Sequence, residues 1–295
     1  MKAIQVTRFG GPEVLALVDV PKPEPISTEA LVEVHAAGVN PVDYKTRRGE
    51  GVVASVGSPP FVPGWDVAGV VVSTGYGVTR FSAGDRVFGM PRFPRATGAY
   101  SEYVSAPSLH FARMPPDLDF VHAAALPLAA LTAWQSLFDA AQLKQGQTVL
   151  VHGATGGVGH LAVQLAQLHG AEVVATSRQN PLATVSEEVD VVLDLVGGED
   201  TAITLNHLRP GGTLLEIADY ADEETQARAK SQGVKVLEPL VEPDGRALDQ
   251  IADAVARNKL EVAVKEVFPL EQAAEAHRRL EGGGVRGKLV LEVRA

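Results

Sequence analysis

Eight consecutive residues carry the clearest chemical signal in the chain: His152-Gly153-Ala154-Thr155-Gly156-Gly157-Val158-Gly159. The apolar run TVLVH precedes the glycines, and GHLAVQLAQLHG follows at helical spacing. This order reads as a buried strand, a sharp turn and a helix that ends at Gly170. Glycine lets the backbone turn tightly and come close to a ligand. The open N–H groups and partial positive charge at a helix start attract phosphate. Ala154, Thr155, Gly156, Gly157 and Val158 are therefore candidate phosphate-contacting residues. A lone glycine turn is weak evidence, and a plain strand–helix turn is the simpler reading. The further strands and helices that follow this one favour a bound dinucleotide.

The second strand of the series, AEVVATS, ends at Ser177 and Arg178, with no Asp or Glu in that place. An acidic residue there suits the ribose 2′-hydroxyl of NAD, whereas a basic one suits the 2′-phosphate of NADP. Arg178 offers a two-pronged fork to phosphate and Ser177 a hydroxyl. The alternative for Arg178 is a solvated loop side chain. Gly197 and Gly198 follow the strand VDVVLDLV; they let the chain pass close to the nicotinamide ribose, or form a simple turn. Near the other end of the chain, NPVDYK presents Asp43 and Tyr44. Tyr44 is a candidate proton donor, or an orienter of an acceptor oxygen; its alternative is a half-buried aromatic at a domain edge.

These residues need elements to hold them. The first third of the chain is rich in proline and in short alternating runs such as KAIQV and ALVEVHAAGV, which predicts a barrel-like or folded β-sheet. Near Phe120 the texture becomes helical, with Pro127 at a boundary or kink. From Thr148 strands alternate with helices near residues 201–207, 222–231 and 245–257, which predicts a parallel sheet covered on both faces. The tail FPLEQAAEAHRRL followed by GKLVLEV reads as a helix and a closing strand.

Composition narrows the classes. The chain has 295 residues, 45% of them hydrophobic, so an ordinary two-domain globular protein is expected. There is no cysteine, which excludes disulfides, catalytic thiols and thiolate metal sites and fits a reducing, cytoplasmic setting. A net charge of −10 disfavours nucleic acid as a partner. No apolar stretch is long enough to span a membrane, and the N-terminus lacks the apolar core of a signal peptide.

The glycine turn can be parsed two ways. As Gly153-x-x-x-Gly157-x-Gly159 it fits short-chain dehydrogenases, but none of the five tyrosines is followed four positions later by lysine, and the motif lies in mid-chain. As Ala154-x-Gly156-Gly157-Val158-Gly159 it resembles the medium-chain dehydrogenase/reductase superfamily. FGGPEVL, HAAGVNPVDYKTR, PGWDVAGVV, GDRVFGM, GAYSEYV, AAALPLAALTAW and RGKLVL stand in the order expected of that superfamily. They are most similar to its zinc-independent quinone oxidoreductase branch. The resemblance implies an α/β protein with a Rossmann-type, doubly wound parallel sheet at 120–261. A β-rich GroES-like catalytic domain would be formed by 1–119 and 262–295, with the cofactor in the cleft between. It also implies that Asn40 and Thr132 lie near the nicotinamide. Asn40 would bond the cofactor or the substrate carbonyl, or else is a turn residue before Pro41; Thr132 contributes there or merely packs its helix. Asn40 and Trp65 occupy the places where zinc-dependent relatives carry a cysteine and a histidine, so no metal is expected.

One departure stands out. Only twelve residues, RQNPLATVSEEV, separate Ser177 from Asp190, where the family inserts helix, strand and more helix. That is just enough for a parallel crossover, so about five strands are expected and one wall of the adenine pocket is in question. The resulting reading is an NADP(H)-dependent, metal-free reductase. It would pass hydride to a quinone or to the activated double bond of an α,β-unsaturated carbonyl. A redox-sensing NADP(H)-binding protein with little turnover is the alternative. A homodimer is expected through the apolar, β-branched strand GVKVLEPLV at the sheet edge.

Overall fold

The alternating runs of the first third and the tail form antiparallel and mixed pairings, while the middle of the chain forms a purely parallel sheet. The computed structural model describes residues 1–219 and 221–294; Tyr220 and Ala295 lie outside it. In chain order the elements are β1 (Lys2–Val6), β2 (Leu15–Asp19), β3 (Glu29–Val39), α1 (Pro41–Arg48), α2 (Val53–Val56), β4 (Val67–Thr74), β5 (Arg86–Gly89), β6 (Tyr103–Pro107), β7 (Phe111–Arg113), α3 (Phe120–Ala124) and α4 (Pro127–Trp134). They continue with β8 (Thr148–His152), α5 (Gly159–Leu168), β9 (Glu172–Thr176), β10 (Val189–Asp194), α6 (Glu199–Thr204), β11 (Leu208–Glu216), α7 (Glu223–Ser231), β12 (Lys235–Leu237), α8 (Gly245–Ala256), β13 (Val264–Pro269), α9 (Ala273–Glu281) and β14 (Lys288–Glu292).

The sheet of the first unit runs β13-β14-β3-β4-β5-β7, with β6 also paired to β3. The eleven-residue β3 is its spine and pairs with β4, β6 and β14; bulges at Leu31/Val32 and Val34/Ala36 curl it. Val32, Val34, Val87, Tyr100, Phe111 and Leu289 fill the core beneath it. Each such side chain removed from water contributes about 1.5–3 kcal/mol. The last strand of the chain thus closes against a strand from its first forty residues, which ties the two ends into one unit.

In the second unit five parallel strands take the order β12-β11-β10-β8-β9. β8 lies between β9 and β10, so the strand order reverses there, the place where parallel α/β sheets take ligands. Between β9 and β10 the only regular structure is a short 3-10 turn, Leu182–Thr184. Leu182 is buried and Val185 half-buried, and both pack with Leu150 and Val192. These two apolar side chains anchor the short crossover where a further strand would otherwise stand, which leaves β9 as an edge among the described residues.

The predicted strand over GVKVLEPLV shrinks to Lys235–Leu237, because Pro239 has no N–H for a ladder. Pro127 opens α4, as its fixed φ and missing N–H suit the first helical turn. By packing, one unit comprises Met1–Leu131 with Glu242–Ala295, the other Thr132–Val241. Sequence texture drew the line at 120 and 262 instead. Packing assigns α3 to the first unit because it lies on β3 and β4, and α8 because it lies on β7. Both helices have the look of the α/β series in sequence, and only their contacts say otherwise.

Candidate active site

In the second unit every predicted cofactor residue except Thr132 gathers at the carboxyl ends of β8, β9 and β10. The turn after β8 requires glycine at its close: a Cβ on Gly159 would lie 2.3 Å from the Gly153 carbonyl oxygen and 2.7 Å from the Ala154 Cα. Ala154 donates its N–H to the Thr176 carbonyl (2.9 Å) and Gly156 to that of Gly153 (3.0 Å). The N–H groups of Thr155, Gly157 and Val158 have no protein partner among the described residues. They stand just before the first turn of α5, where N–H groups and the helix dipole favour an anion. Ala154, a residue expected to meet the cofactor, also ties the turn to β9 through this bond.

After β9 the chain folds into a tight loop. Ser177 and Asn180 exchange backbone hydrogen bonds (2.8 and 3.1 Å), and Ser177 Oγ accepts from the Gln179 and Asn180 N–H groups. Asn180 Nδ2 also donates back to the Ala175 carbonyl (2.8 Å). Arg178 rides on this loop, exposed and with no ion pair or hydrogen bond among the described residues. After β10, Asp194 organises the next loop. Its Oδ1 accepts from the N–H groups of Val196 and Gly197 (2.9 and 3.0 Å), and its Oδ2 from the Thr201 hydroxyl (2.7 Å). Gly197 has φ +74°, and a Cβ there would lie 3.1 Å from that of Asp219, so glycine is needed.

The first unit holds a different kind of site. Asn40 stands just before α1 with its side chain buried. Its Nδ2 donates to Asp66 Oδ2 (2.8 Å), and its Oδ1 accepts from Lys288 Nζ. Lys288 Nζ is 3.4 Å from Asp66 Oδ2, and Asp66 Oδ1 accepts from the Leu128 N–H (2.7 Å). Asp66 and Lys288 are 0% and 3% exposed, so this is a fully desolvated ion pair with an amide wedged against it.

Next to it runs a chain of hydrogen bonds with a direction. Arg47 Nη1 lies 3.1 Å from His277 Nδ1, and guanidinium only donates, so Nδ1 accepts and the proton sits on Nε2. His277 Nε2 then donates to the Tyr100 oxygen (3.2 Å), and the Tyr100 hydroxyl donates to Asp43 Oδ2 (2.9 Å). The same oxygen accepts the Asn40 N–H (2.6 Å). Burial is the main cause that pushes the Asp43 carboxyl up to about 7, with the bonds from Asn40 and Tyr100 working the other way. Burial, and then the Arg47 charge, lower His277 to about 3 and keep it neutral. Burial and the neighbouring Asp43 hold the Tyr100 hydroxyl well above its ordinary value. Arg47 is further paired with Glu281 and donates to the Gly10 carbonyl (3.0 Å). The chain therefore clamps α1 to α9.

This architecture has known counterparts. The family model described as zinc-binding dehydrogenase matches residues 169–291, and the alcohol dehydrogenase GroES-like domain matches residues 27–116. The quinone oxidoreductase of Rattus norvegicus is 32% identical over 325 residues, covering 99% of this chain and 97% of its own. The quinone oxidoreductase from Coxiella burnetii superposes with a TM-score of 0.90 at 36% identity, over 100% of this chain and 99% of that one. The chain belongs to the quinone oxidoreductase branch of the medium-chain dehydrogenase/reductase superfamily. The Escherichia coli quinone oxidoreductase, solved with NADPH, superposes at a TM-score of 0.86 and 26% identity, covering 99% of this chain and 100% of that one. The present chain's parallel sheet, shortened to five strands, and its GroES-like domain are of the superfamily's kind, and this chain is an oxidoreductase.

Within this member the candidate residues part company. Thr155, Gly156, Gly157, Val158, Ser177, Arg178 and Gly197 share one end of one sheet. Thr132 is buried on α4. Asn40 and Tyr44 belong to the first unit, flanking the start of α1; Tyr44 is half-buried, with the Arg48 guanidinium 5.3 Å from its ring centroid. Trp65 is buried and donates its indole N–H to the Arg95 carbonyl (2.8 Å). Among the described residues no group of three or more His, Asp or Glu side chains is disposed to hold a metal ion, and no helix is long and apolar enough to cross a membrane. Sequence reasoning missed Asp66, Lys288, Arg47, Tyr100 and His277. Two of them left a signal: a charged residue inside the otherwise apolar runs WDVAGVVV and KLVLEV is out of place unless it is paired.

Proposed function

We propose that the protein is an NADPH-dependent, metal-free reductase of quinones or α,β-unsaturated carbonyl compounds. The observation that carries this reading is the pairing of three unpartnered N–H groups at the start of α5 with an unpaired arginine just beyond the end of β9. The first suits a pyrophosphate and the second a ribose 2′-phosphate. When bound, NADPH supplies a hydride from its nicotinamide C4.

The chain's own residues do the rest. Thr155, Gly157 and Val158 bind the pyrophosphate, and Ser177 and Arg178 the 2′-phosphate. The loop held by Asp194 sets the backbone of Gly197 against the nicotinamide ribose, and Thr132 lies by the nicotinamide. The Asp66–Lys288 pair and the Asp43 carboxyl fix Asn40 at the acceptor side from two directions. A quinone or enone is already electrophilic, so positioning suffices where an alcohol would need a Lewis acid. The proton that completes reduction comes from Tyr44 or from solvent.

In functional terms, residues 120–261 are the nucleotide-binding domain, and 1–119 with 262–295 the catalytic domain. The protein works as a cytoplasmic homodimer joined at the β12 edge. A steady-state assay of NADPH oxidation over a panel of quinones and enones tests the proposal. Acceleration by at least one acceptor, with simple alcohols inert, is the expected result. The short crossover after β9 favours a second reading, a redox sensor. NADPH binding without turnover of any acceptor would establish that reading instead.

A further inference from the structure

At the carboxyl edge of the parallel sheet, three neighbouring strands end in register on Thr176, His152 and Asp194. His152 is the middle one, 6% exposed, and immediately precedes the glycine turn. Its Nδ1 lies 2.8 Å from Thr176 Oγ1. Its Nε2 is buried, has no hydrogen-bond partner, and lies 3.4 Å from Asp200 Oδ2 in the first turn of α6. The carboxylate settles the direction of the pair. A bare Nε2 would set lone pair against lone pair, so Nε2 carries the proton and the Thr176 hydroxyl donates to Nδ1.

The imidazole therefore touches both flanks of the turn. On one side is Thr176, whose carbonyl already holds Ala154 and whose next two residues are Ser177 and Arg178. On the other is the 195–198 loop leading into α6, which Asp194 shapes and which contains Gly197. We infer that His152 is a positioning residue. Through Thr176 it sets where the Ser177–Arg178 loop stands relative to the glycine turn, and so the preference for NADPH over NADH. On the other flank its Nε2 faces Asp200 at 3.4 Å, beside the Gly197 loop, which serves both cofactors alike.

This inference rests on the reading of Arg178 as the 2′-phosphate contact, and the experiment separates the two. His152→Asn keeps a polar atom at the Nδ1 position and loses the reach to Asp200. His152→Gln keeps the reach of Nε2 and loses the bond to Thr176. Thr176→Val removes only the hydroxyl from the other partner. Dissociation constants for NADPH and NADH, by fluorescence titration of each folded variant, are compared with those of the parent and of Arg178→Ala.

His152→Gln and Thr176→Val are expected to weaken NADPH about tenfold and NADH less than about twofold, the scale of one hydrogen bond. His152→Asn should keep the NADPH/NADH ratio within about twofold while weakening both, because it spares the Thr176 side. A merely structural role would lower both affinities together in all three variants, and that result overturns the inference. It is equally overturned if Arg178→Ala shifts the ratio while His152→Gln and Thr176→Val do not. If Arg178→Ala leaves the ratio unchanged, the cofactor reading itself has failed. Should His152→Gln not fold, Thr176→Val alone decides.

Discussion

The two units treat charge in opposite ways. In the first, Asp66, Lys288, Arg47 and Asp43 lie within the protein and bond to one another's neighbours. In the second, the end of the sheet leaves three N–H groups and one arginine without a protein partner. A buried charge must be satisfied from inside, because no water can do it. A ligand site must leave its groups unsatisfied until the ligand arrives. One unit therefore spends its polar groups on holding a shape, and the other leaves several of them open, as the proposed cofactor site requires. Changes in the first should read out chiefly as stability, and changes in the second as affinity.

The largest expected effect tests the first half of that contrast. Lys288→Met strands Asp66 in the interior, and urea unfolding should show a loss of about 3–5 kcal/mol. A loss below 1 kcal/mol, with cofactor affinity reduced instead, would move Lys288 to the binding side. Arg178→Ala tests the other half. NADPH should weaken by about 1.5–3 kcal/mol, roughly ten- to a hundred-fold, with NADH and the unfolding midpoint almost unchanged. Equal losses for both cofactors would show that Arg178 does not read the 2′-phosphate.

A third test concerns the buried chain of hydrogen bonds. Asp43, raised from 3.8 to about 7, binds more protons folded than unfolded, so its contribution to stability is lost as pH rises from about 4 to 7. His277, lowered from 6.5 to about 3, does the reverse: its contribution is complete above 6.5 and lost as pH falls towards 3. The two slopes oppose each other between about 4 and 6.5, so the parent should show little pH dependence from this pair. His277→Asn removes the rising limb. Its stability should fall with increasing pH across that window, by up to about 1.4 kcal/mol per unit. A variant whose stability does not fall there would mean that Asp43 is ionised throughout.

The smallest effect on the subunit itself is assembly at the β12 edge. Light scattering at micromolar concentration should give twice 31.1 kDa, and a monomer mass would show that three paired residues do not make an interface. Elemental analysis of the same sample should find no stoichiometric zinc.

Local chemistry was legible in the sequence. The glycine turn, the basic end of the second strand and the short crossover are each built from residues adjacent in the chain, and each has a meaning that depends on its neighbours alone. The five parallel strands follow from the same local rules, because apolar runs alternating with helices can bury both sheet faces in few ways. Pro239 is equally visible in the sequence, and its missing N–H limits the last strand to three residues.

What the sequence by itself determined is the glycine turn, the parallel strands around it and the basic residue just beyond the second strand. Tertiary structure decided how Asn40 is held, by joining a loop after β3, a residue before β4 and the last strand; residues 40, 66 and 288 share no pattern in the chain. It decided likewise that Asp43, Tyr100, His277 and Arg47 form one directed chain, and therefore which of them are neutral. The reason is physical. Propensity and turn chemistry act between residues close in sequence, whereas the state of a charge depends on every group that replaces water around it.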